Sequence, residues 1–427
     1  MKVIKNPPAA DWAALCQRPT ASFEDILPNI RNIFQTVQQE GDRALQAYTL
    51  QFDQVKIDQI KVTEQKISEA AVQLSEDLKQ AISIAYQNIR TFHEAQRTET
   101  VDVETQTGVR CWQEKYPIEK VGLYIPGGTA PLFSTVLMLA IPAQVAGCRE
   151  IVLCSPPQNN GQIAPEVLYT AALCGVTKIF MVGGAQAIAA MSLGTASVPK
   201  VDKIFGPGNQ YVTAAKQYAS QGRVAIDMPA GPSEVLIAVD ASADPSFVAA
   251  DLLSQAEHGV DSQVLLVTTA AAAIPAIEKA LTQQLATLKR KDIAAVALEN
   301  SSIICFDSHQ TAIAFINTYA PEHYIINVEN TAEYVAGVRH AGSVFVGPFT
   351  PESAGDYASG TNHTLPTNGF ARQYSGVNLD SFQKAITFQE ITPEGIQNLG
   401  PAVEAMAQAE GLDAHKNAVS VRLKSLS

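Results

Sequence analysis

The chain has 427 residues, 46% of them hydrophobic and 17% charged, with a formal net charge of −12. That length predicts a globular protein of two or more domains, and the acidic balance argues against nucleic acid or an anionic membrane as the main partner. No apolar run reaches the roughly 18 residues of a membrane span. The first sixteen residues hold no apolar core of a secretory signal. Six cysteines, at 16, 111, 148, 154, 174 and 305, form no CxxC pair. A reduced, cytoplasmic protein without a thiolate zinc site is expected.

Residues 1–20 carry little pattern. From Ser22 to about Phe52 the text is helical: Ile26, Ile30, Ile33, Phe34 and Val37 recur at helical spacing until Gly41. A second helical stretch is predicted over 63–96, and a strand pair over 101–113 around Thr107-Gly108. Four strand–loop–helix units follow. Strand 121–125 leads into Pro126-Gly127-Gly128-Thr129-Ala130-Pro131. Strand 150–154 leads into Ser155-Pro156-Pro157. Strand 178–182 leads into Gly183-Gly184-Ala185-Gln186, and strand 203–205 into Gly206-Pro207-Gly208-Asn209. This rhythm predicts a doubly wound parallel sheet, with ligands outside the carboxyl ends of its strands.

A second α/β domain is expected from near residue 232. Its strands are 234–239, 263–268, 302–306, 324–328 and 343–346. Asp244 and Pro245 suit the N-cap and first position of a helix that Gly259 stops. Residues 350–380 form a long loop rich in Gly, Ser, Thr and Asn, of the kind that tends to be functional. Beyond 381 the chain is read as helical, ending in a strand-like 418–423.

Four segments could carry chemistry. On the helix before Gly259, Asp251, Gln255 and His258 share one side, as a solvated face or as a row that holds a metal or substrate. Glu322-His323 sits just before a strand; one group could activate water and the other take a second proton, or both could be exposed turn residues. In 352–363, Asp356 could be an oxygen ligand or part of an Asx turn network. Glu410 and His415 lie in the tail, where a His is usually solvated. His93, His309 and His340 are read as structural or solvated. One amide, two imidazoles and a carboxylate suit zinc with open positions, or manganese or cobalt. No loop spells GxGxxG. Gly183-Gly184 and Gly206-Pro207-Gly208 could admit a dinucleotide phosphate and Tyr124 could contact the cofactor, or these are tight turns only.

The stretch 226–238, running on to Gln255-Ala256-Glu257-His258, resembles the signature of histidinol dehydrogenases. Gly122-Leu123-Tyr124-Ile125-Pro126-Gly127-Gly128, Val182-Gly183-Gly184-Ala185-Gln186-Ala187, Lys203-Ile204-Phe205-Gly206-Pro207-Gly208-Asn209, Pro321-Glu322-His323, Gly355-Asp356-Tyr357 through His363 and Ala414-His415-Lys416-Asn417-Ala418 agree with it, in family order. The resemblance implies two incomplete Rossmann-like, aldehyde-dehydrogenase-like sheets with helical N- and C-terminal extensions. It divides the chain into an N-terminal extension (1–20), a discontinuous metal and substrate domain (21–120 and 233–380), an NAD domain (121–232) and a tail (381–427). It implies oxidation of L-histidinol through the aldehyde to L-histidine, with two NAD reduced. Gln255, His258, Asp356 and His415 would be zinc ligands and would also touch substrate. Glu322 and His323 would be the acid–base residues. Ser233, His323, His363 and Glu410 would contact substrate, and Tyr124, Gln186 and Asn209 would contact NAD. The family's homodimer implies that His415 and Glu410 reach the partner's site. A cysteine thiohemiacetal route is not expected, because the cysteines sit mostly in apolar text.

Overall fold

Two compact units make up the chain in the computed structural model: a larger one of Met1–Gln96 with Glu119–Ser381, and a smaller one of Arg97–Ile118 with Phe382–Ser427. The structure describes residues 1–19, 23–127, 131–222 and 224–427. Gly128, Thr129 and Ala130 of the first Gly-rich loop, Ser22, and the domain boundary at residue 20 lie outside the described residues.

The strands in chain order are β1 (Lys2–Lys5), β2 (Asp102–Gln106), β3 (Val109–Pro117), β4 (Lys120–Tyr124), β5 (Glu150–Ser155), β6 (Lys178–Met181) and β7 (Lys203–Phe205). They continue as β8 (Ala225–Ile226), β9 (Glu234–Val239), β10 (Gln263–Thr268), β11 (Ser302–Cys305), β12 (His323–Asn327), β13 (Ser343–Val346) and β14 (Gln383–Ile391). The larger unit holds two sheets, both wholly parallel. One runs β6-β5-β4-β7-β8, the other β1-β11-β10-β9-β12-β13. Parallel sheets need both faces covered. Accordingly β9 and β10 are buried along their whole length. The α/β architecture expected from the βα rhythm is thus the one observed.

The helix Phe23–Glu40 turns Ile26, Ile30, Ile33, Phe34 and Val37 inward. They share one core with Ala187, Ile188 and Met191 from Gly184–Leu193, and with Val212 and Ala215 from Gln210–Ser220. The helix Phe133–Ala146 is apolar all round and buried nearly throughout, as expected of a helix packed on several sides. No helix among the described residues is long and apolar enough to cross a membrane.

Five local expectations are corrected. Residues 2–5, which carry no pattern, form the edge strand β1, paired in register with β11. The stretch 63–96 is two helices, Glu64–Gln73 and Glu76–Glu94. The hydroxyls of Thr63 and Ser75 cap their N-termini, and a second cap inside a helical run restarts it. The loop 350–380 contains the helix Glu352–Tyr357.

In the smaller unit, residues 383–391 are strand β14, antiparallel to β3, and a helix follows at Pro393–Ala409. The strand-like 418–423 is helical, within Asp413–Lys424. A Cβ built on Gly400 would meet Val419 and Leu423 at 3.0–3.1 Å. Those two residues stand four apart on one helical face and close on the bare glycine. Packing between the two helices overrides the alternating β-branched pattern.

Candidate active site

The two sheets present opposite ends to their candidate sites. In the five-stranded sheet, Tyr124 closes β4, Ser155 closes β5, and Gly184 and Asn209 follow β6 and β7. All of them line one cavity of about 1310 Å³, together with Gln186, Asp53 and Tyr48. This is the carboxyl edge, where ligands bind open parallel sheets. In the six-stranded sheet the polar cluster lies at the amino edge. Glu234 begins β9, Gln263 begins β10 and His323 begins β12.

Within the cavity, the helix Gly184–Leu193 starts without a side-chain cap. The Gly184 N–H donates to the Tyr124 hydroxyl at 3.0 Å, and burial pushes that phenol up to about 12. Gln186 is 1% exposed and its Oε1 has no hydrogen-bond partner. Such an atom leaves a bonding demand unmet. Asn209 caps the helix Gln210–Ser220, accepting from the Tyr211 and Val212 N–H groups at 3.0 and 3.1 Å. Its amide nitrogen remains available to a ligand, so the turn role and the ligand role do not compete. Gly206 takes φ +129°, and a Cβ there would overlap the Tyr124 carbonyl oxygen. Only glycine lets these two loops meet.

At the amino edge, His323 is the centre. Its Nδ1 bonds the Glu234 carbonyl oxygen at 3.1 Å. Nδ1 also lies 3.6 Å from Glu322 Oε2 and 3.9 Å from Glu352 Oε1, while Nε2 lies 3.3 Å from Asp356 Oδ1. Glu322 Oε2 accepts from the Glu234 backbone N–H at 2.9 Å. Burial pushes the Glu322 carboxyl up to about 8, against the pull of His323. Burial disfavours the His323 imidazolium, but the carboxylates of Glu352, Glu322 and Asp356 outweigh it and raise its pKa. Burial likewise opposes the charge on Asp356, yet the contact with His323 holds it below the usual carboxylate range. Glu352, 1% exposed, is raised by burial. Close spacing and burial thus push the pKa values of these groups in different directions.

Gln255 ends up as expected on the helix Pro245–Ala256, capped by Asp244 with Pro245 at its start. That helix packs against Glu352–Tyr357. His258 does not share it: the helix ends at Ala256, three residues before Gly259. The His258 N–H closes a turn on the Gln255 carbonyl at 3.2 Å. Two residues past the last helical one, His258 is free to point its ring independently of the i, i+3 row. The residue is exposed, while the protein around it desolvates the ring and lowers its pKa. Asp356 comes from a short helix rather than a loop. Gly355 before it packs where a Cβ would stand 2.5 Å from the Phe345 ring.

A divalent ion fits these residues. Ligand atoms of His258, Glu352 and Asp356 lie within 4.8 Å of one another. Both amide atoms of Gln255 and Glu352 Oε2 are buried without a hydrogen-bond partner, and Asp356 Oδ1 and His323 Nε2 meet only each other, at 3.3 Å. Oxygen and imidazole donors left unsatisfied in one buried cluster are what a metal would complete. Glu352 lies inside a quoted segment but was not among the expected ligands. Its signal was the four-residue spacing from Asp356, which becomes informative only once the segment is helical.

His363 joins the cluster. Its Nδ1 bonds the Asp356 carbonyl oxygen at 2.8 Å and its Nε2 lies 3.2 Å from the Thr135 hydroxyl. Burial lowers its pKa. Its neighbour Asn362 donates to the Met138 carbonyl at 2.6 Å and to His93 Nε2 at 3.3 Å. His93, fully buried, is therefore structural. Ser233 stands half-buried just before Glu234, its carbonyl accepting from the Gln263 N–H at 3.2 Å. Glu410 and His415 belong to the smaller unit, at the C-cap of Pro393–Ala409 and on Asp413–Lys424, and both are exposed. None of the six cysteines is in a disulfide. Burial pushes Cys16 up to about 11, and Cys148 and Cys174 up to about 12, which disfavours a thiolate nucleophile.

Comparison with known proteins gives the family. Residues 16–423 match the histidinol dehydrogenase family. A histidinol dehydrogenase from Bacteroides thetaiotaomicron is 59% identical over 426 residues, covering 100% of both chains. One from Bacteroides fragilis is 56% identical over 426 residues with the same coverage. The crystal structure of histidinol dehydrogenase from Elizabethkingia anophelis superposes with a TM-score of 0.97 at 56% identity, covering 100% of this chain and 98% of that one. The chain belongs to the histidinol dehydrogenase family, the oxidoreductases of the final step of histidine biosynthesis.

Proposed function

We propose that this chain oxidises L-histidinol to L-histidine in two successive steps at the amino edge of the six-stranded sheet, using zinc and NAD. The observation that carries this reading is the cluster of unpartnered buried donors around His323, with Glu322 as its neighbour in the chain. Gln255, His258 and Asp356 would hold zinc, with His415 from a partner subunit. Bound zinc supplies a Lewis-acidic anchor that orients the substrate's amino and imidazole nitrogens. Bound NAD, one molecule per step, is the hydride acceptor. Tyr124, Gln186 and Asn209 would line its site.

The chain's own residues supply the proton handling. His323, in its neutral form, takes the proton of the alcohol oxygen in the first oxidation. Glu322, in its ionised form, takes a proton from the water that adds to the aldehyde. The hydrate, as its oxyanion, then gives up a second hydride to the second NAD and releases its remaining hydroxyl proton to leave the carboxylate. Ser233, His363 and the tail residue Glu410 would hold the substrate. Retaining the aldehyde in one site through both steps prevents its loss to solvent. We further propose a homodimer in which the tail carrying Glu410 and His415 completes the partner's site, and a cytoplasmic location. The test supplies L-histidinol, NAD and zinc and follows NADH. Two NADH per histidinol are expected; none from folded, metal-loaded protein would refute the reading.

A further inference from the structure

Arg18 comes from the N-terminal stretch in which no motif is legible, yet it reaches the polar cluster behind Glu322. Its guanidinium takes both oxygens of Glu234, Nε to Oε2 at 2.6 Å and Nη2 to Oε1 at 2.9 Å. The two side chains are 6% and 1% exposed. Nη1 donates to the Cys16 carbonyl and Nη2 to the Tyr319 carbonyl, each at 2.8 Å. The guanidinium also lies 3.6 Å over the Tyr319 ring. The Tyr319 hydroxyl donates to Gln263 Oε1 at 2.9 Å and stands 3.3 Å from Glu234 Oε2.

A buried ion pair alone says little about stability, because desolvation offsets its Coulomb gain. What sets this pair apart is what Glu234 does next. Its Oε1 accepts from the Glu322 backbone N–H at 3.2 Å, while Glu322 Oε2 accepts from the Glu234 backbone N–H at 2.9 Å. Each carboxylate holds the other residue's backbone, across adjacent strands. The Glu234 carbonyl meanwhile bonds His323 Nδ1. Both proton-handling residues therefore hang on Glu234, and the Arg18 fork restrains the Glu234 side chain.

We propose that Arg18 is a positioning residue for aldehyde oxidation: through Glu234 it places the Glu322 carboxylate for its work on water. The inference rests on the reading of Glu322 given above. The planar fork is essential to it. Lysine keeps the charge but cannot hold both oxygens in one plane, so Glu234 gains rotational freedom. The alcohol step, which uses the imidazole held by the Glu234 main chain, depends less on that side chain.

The test compares Arg18→Lys, Tyr319→Phe and Glu322→Gln in the full-length, metal-loaded protein. Two rates are read: oxidation of supplied L-histidinal, and the first NADH formed from L-histidinol in a single turnover. For Arg18→Lys we expect kcat on histidinal to fall about tenfold or more, within the range of a displaced general base. KM for histidinal and the first-hydride rate should stay within about twofold. Tyr319→Phe should show a smaller loss with the same selectivity, and it carries the test alone if Arg18→Lys does not fold. Undiminished histidinal oxidation, or equal losses in both steps, would overturn the proposal as a merely structural effect. Unimpaired histidinal oxidation in Glu322→Gln would instead remove the reading of Glu322, whichever way the Arg18 variant behaves.

Discussion

Glu352 and Asp356 stand one turn apart in the helix Glu352–Tyr357, and a carboxylate oxygen of each lies within 4.8 Å of the other and of a His258 ring nitrogen. A carboxylate pair at that spacing repels itself when both members are ionised, and a cation between them relieves that repulsion.

Removal of one donor should therefore show in metal content before it shows in fold. Asp356→Ala and His258→Ala should purify with less than about half the zinc of the parent chain. Glu352→Gln should weaken zinc about tenfold or more while leaving the chain folded, in the range seen for residues that support metal ligands. Chelation should abolish histidinol oxidation and added zinc restore it. Full zinc occupancy in Glu352→Gln by elemental analysis would exclude it from the ion's surroundings.

Glu322 sets the expected pH dependence. Burial raises its carboxyl to about 8, so the ionised form that takes a proton from water gains population up to that pH. Histidinal oxidation should rise with pH through about 8, and Glu322→Gln should lose that limb along with about 100-fold in rate. For stability the sign runs the other way. A raised folded-state pKa contributes stability that is complete below the ordinary value of 4.5 and is lost as pH climbs through about 8. Between pH 6 and 9 the metal-free parent should therefore lose melting temperature relative to metal-free Glu322→Gln. Parallel melting curves would contradict the buried-acid assignment.

The cavity at the carboxyl edge makes a prediction about cofactor choice. Among the described residues, no Lys, Arg or His lines it, and its one acidic side chain is Asp53, which burial raises to about 6. A 2′-phosphate would meet no cation there, whereas an acidic side chain suits a ribose hydroxyl. NADP should support less than about one-hundredth of the NAD efficiency, and Asp53→Asn should narrow that gap. Gln186→Ala should raise KM for NAD several-fold, worth about 1 kcal/mol for one hydrogen bond, and leave KM for histidinol unchanged. Equal losses for both substrates would place Gln186 outside the cofactor site.

The tail prediction needs two chains. His415→Ala and His323→Asn subunits, each inactive alone, should regain activity when mixed and allowed to exchange, because one site of the heterodimer then has both histidines. About a quarter of parental activity is the ceiling for random pairing, since half the dimers are mixed and each carries one intact site. Proven exchange without recovery would argue that His415 serves its own subunit.

Much of this was legible in the sequence because the signals are local. The βα rhythm with its Gly-rich turns specified parallel sheets, and the Asp244-Pro245 start of the helix carrying Gln255 is seen as read. Long ordered motifs marked Glu322, His323 and Asp356. Local signals misled where neighbours outweighed propensity. Val419 and Leu423 fold as a helix because Gly400 offers them a face, and residues 2–5 form a strand because β11 has an open edge.

The sequence by itself determined the βα rhythm of the two parallel sheets and the family, because each depends on short-range pattern or contiguous motif. The tertiary structure alone decided which carboxylates surround His323, and that Glu352 is among them. It alone brought Arg18, 216 residues from Glu234 in the chain, to the back of Glu322. Distances of about 3 Å between remote segments are set by strand register and helix packing, which no spacing in the chain records.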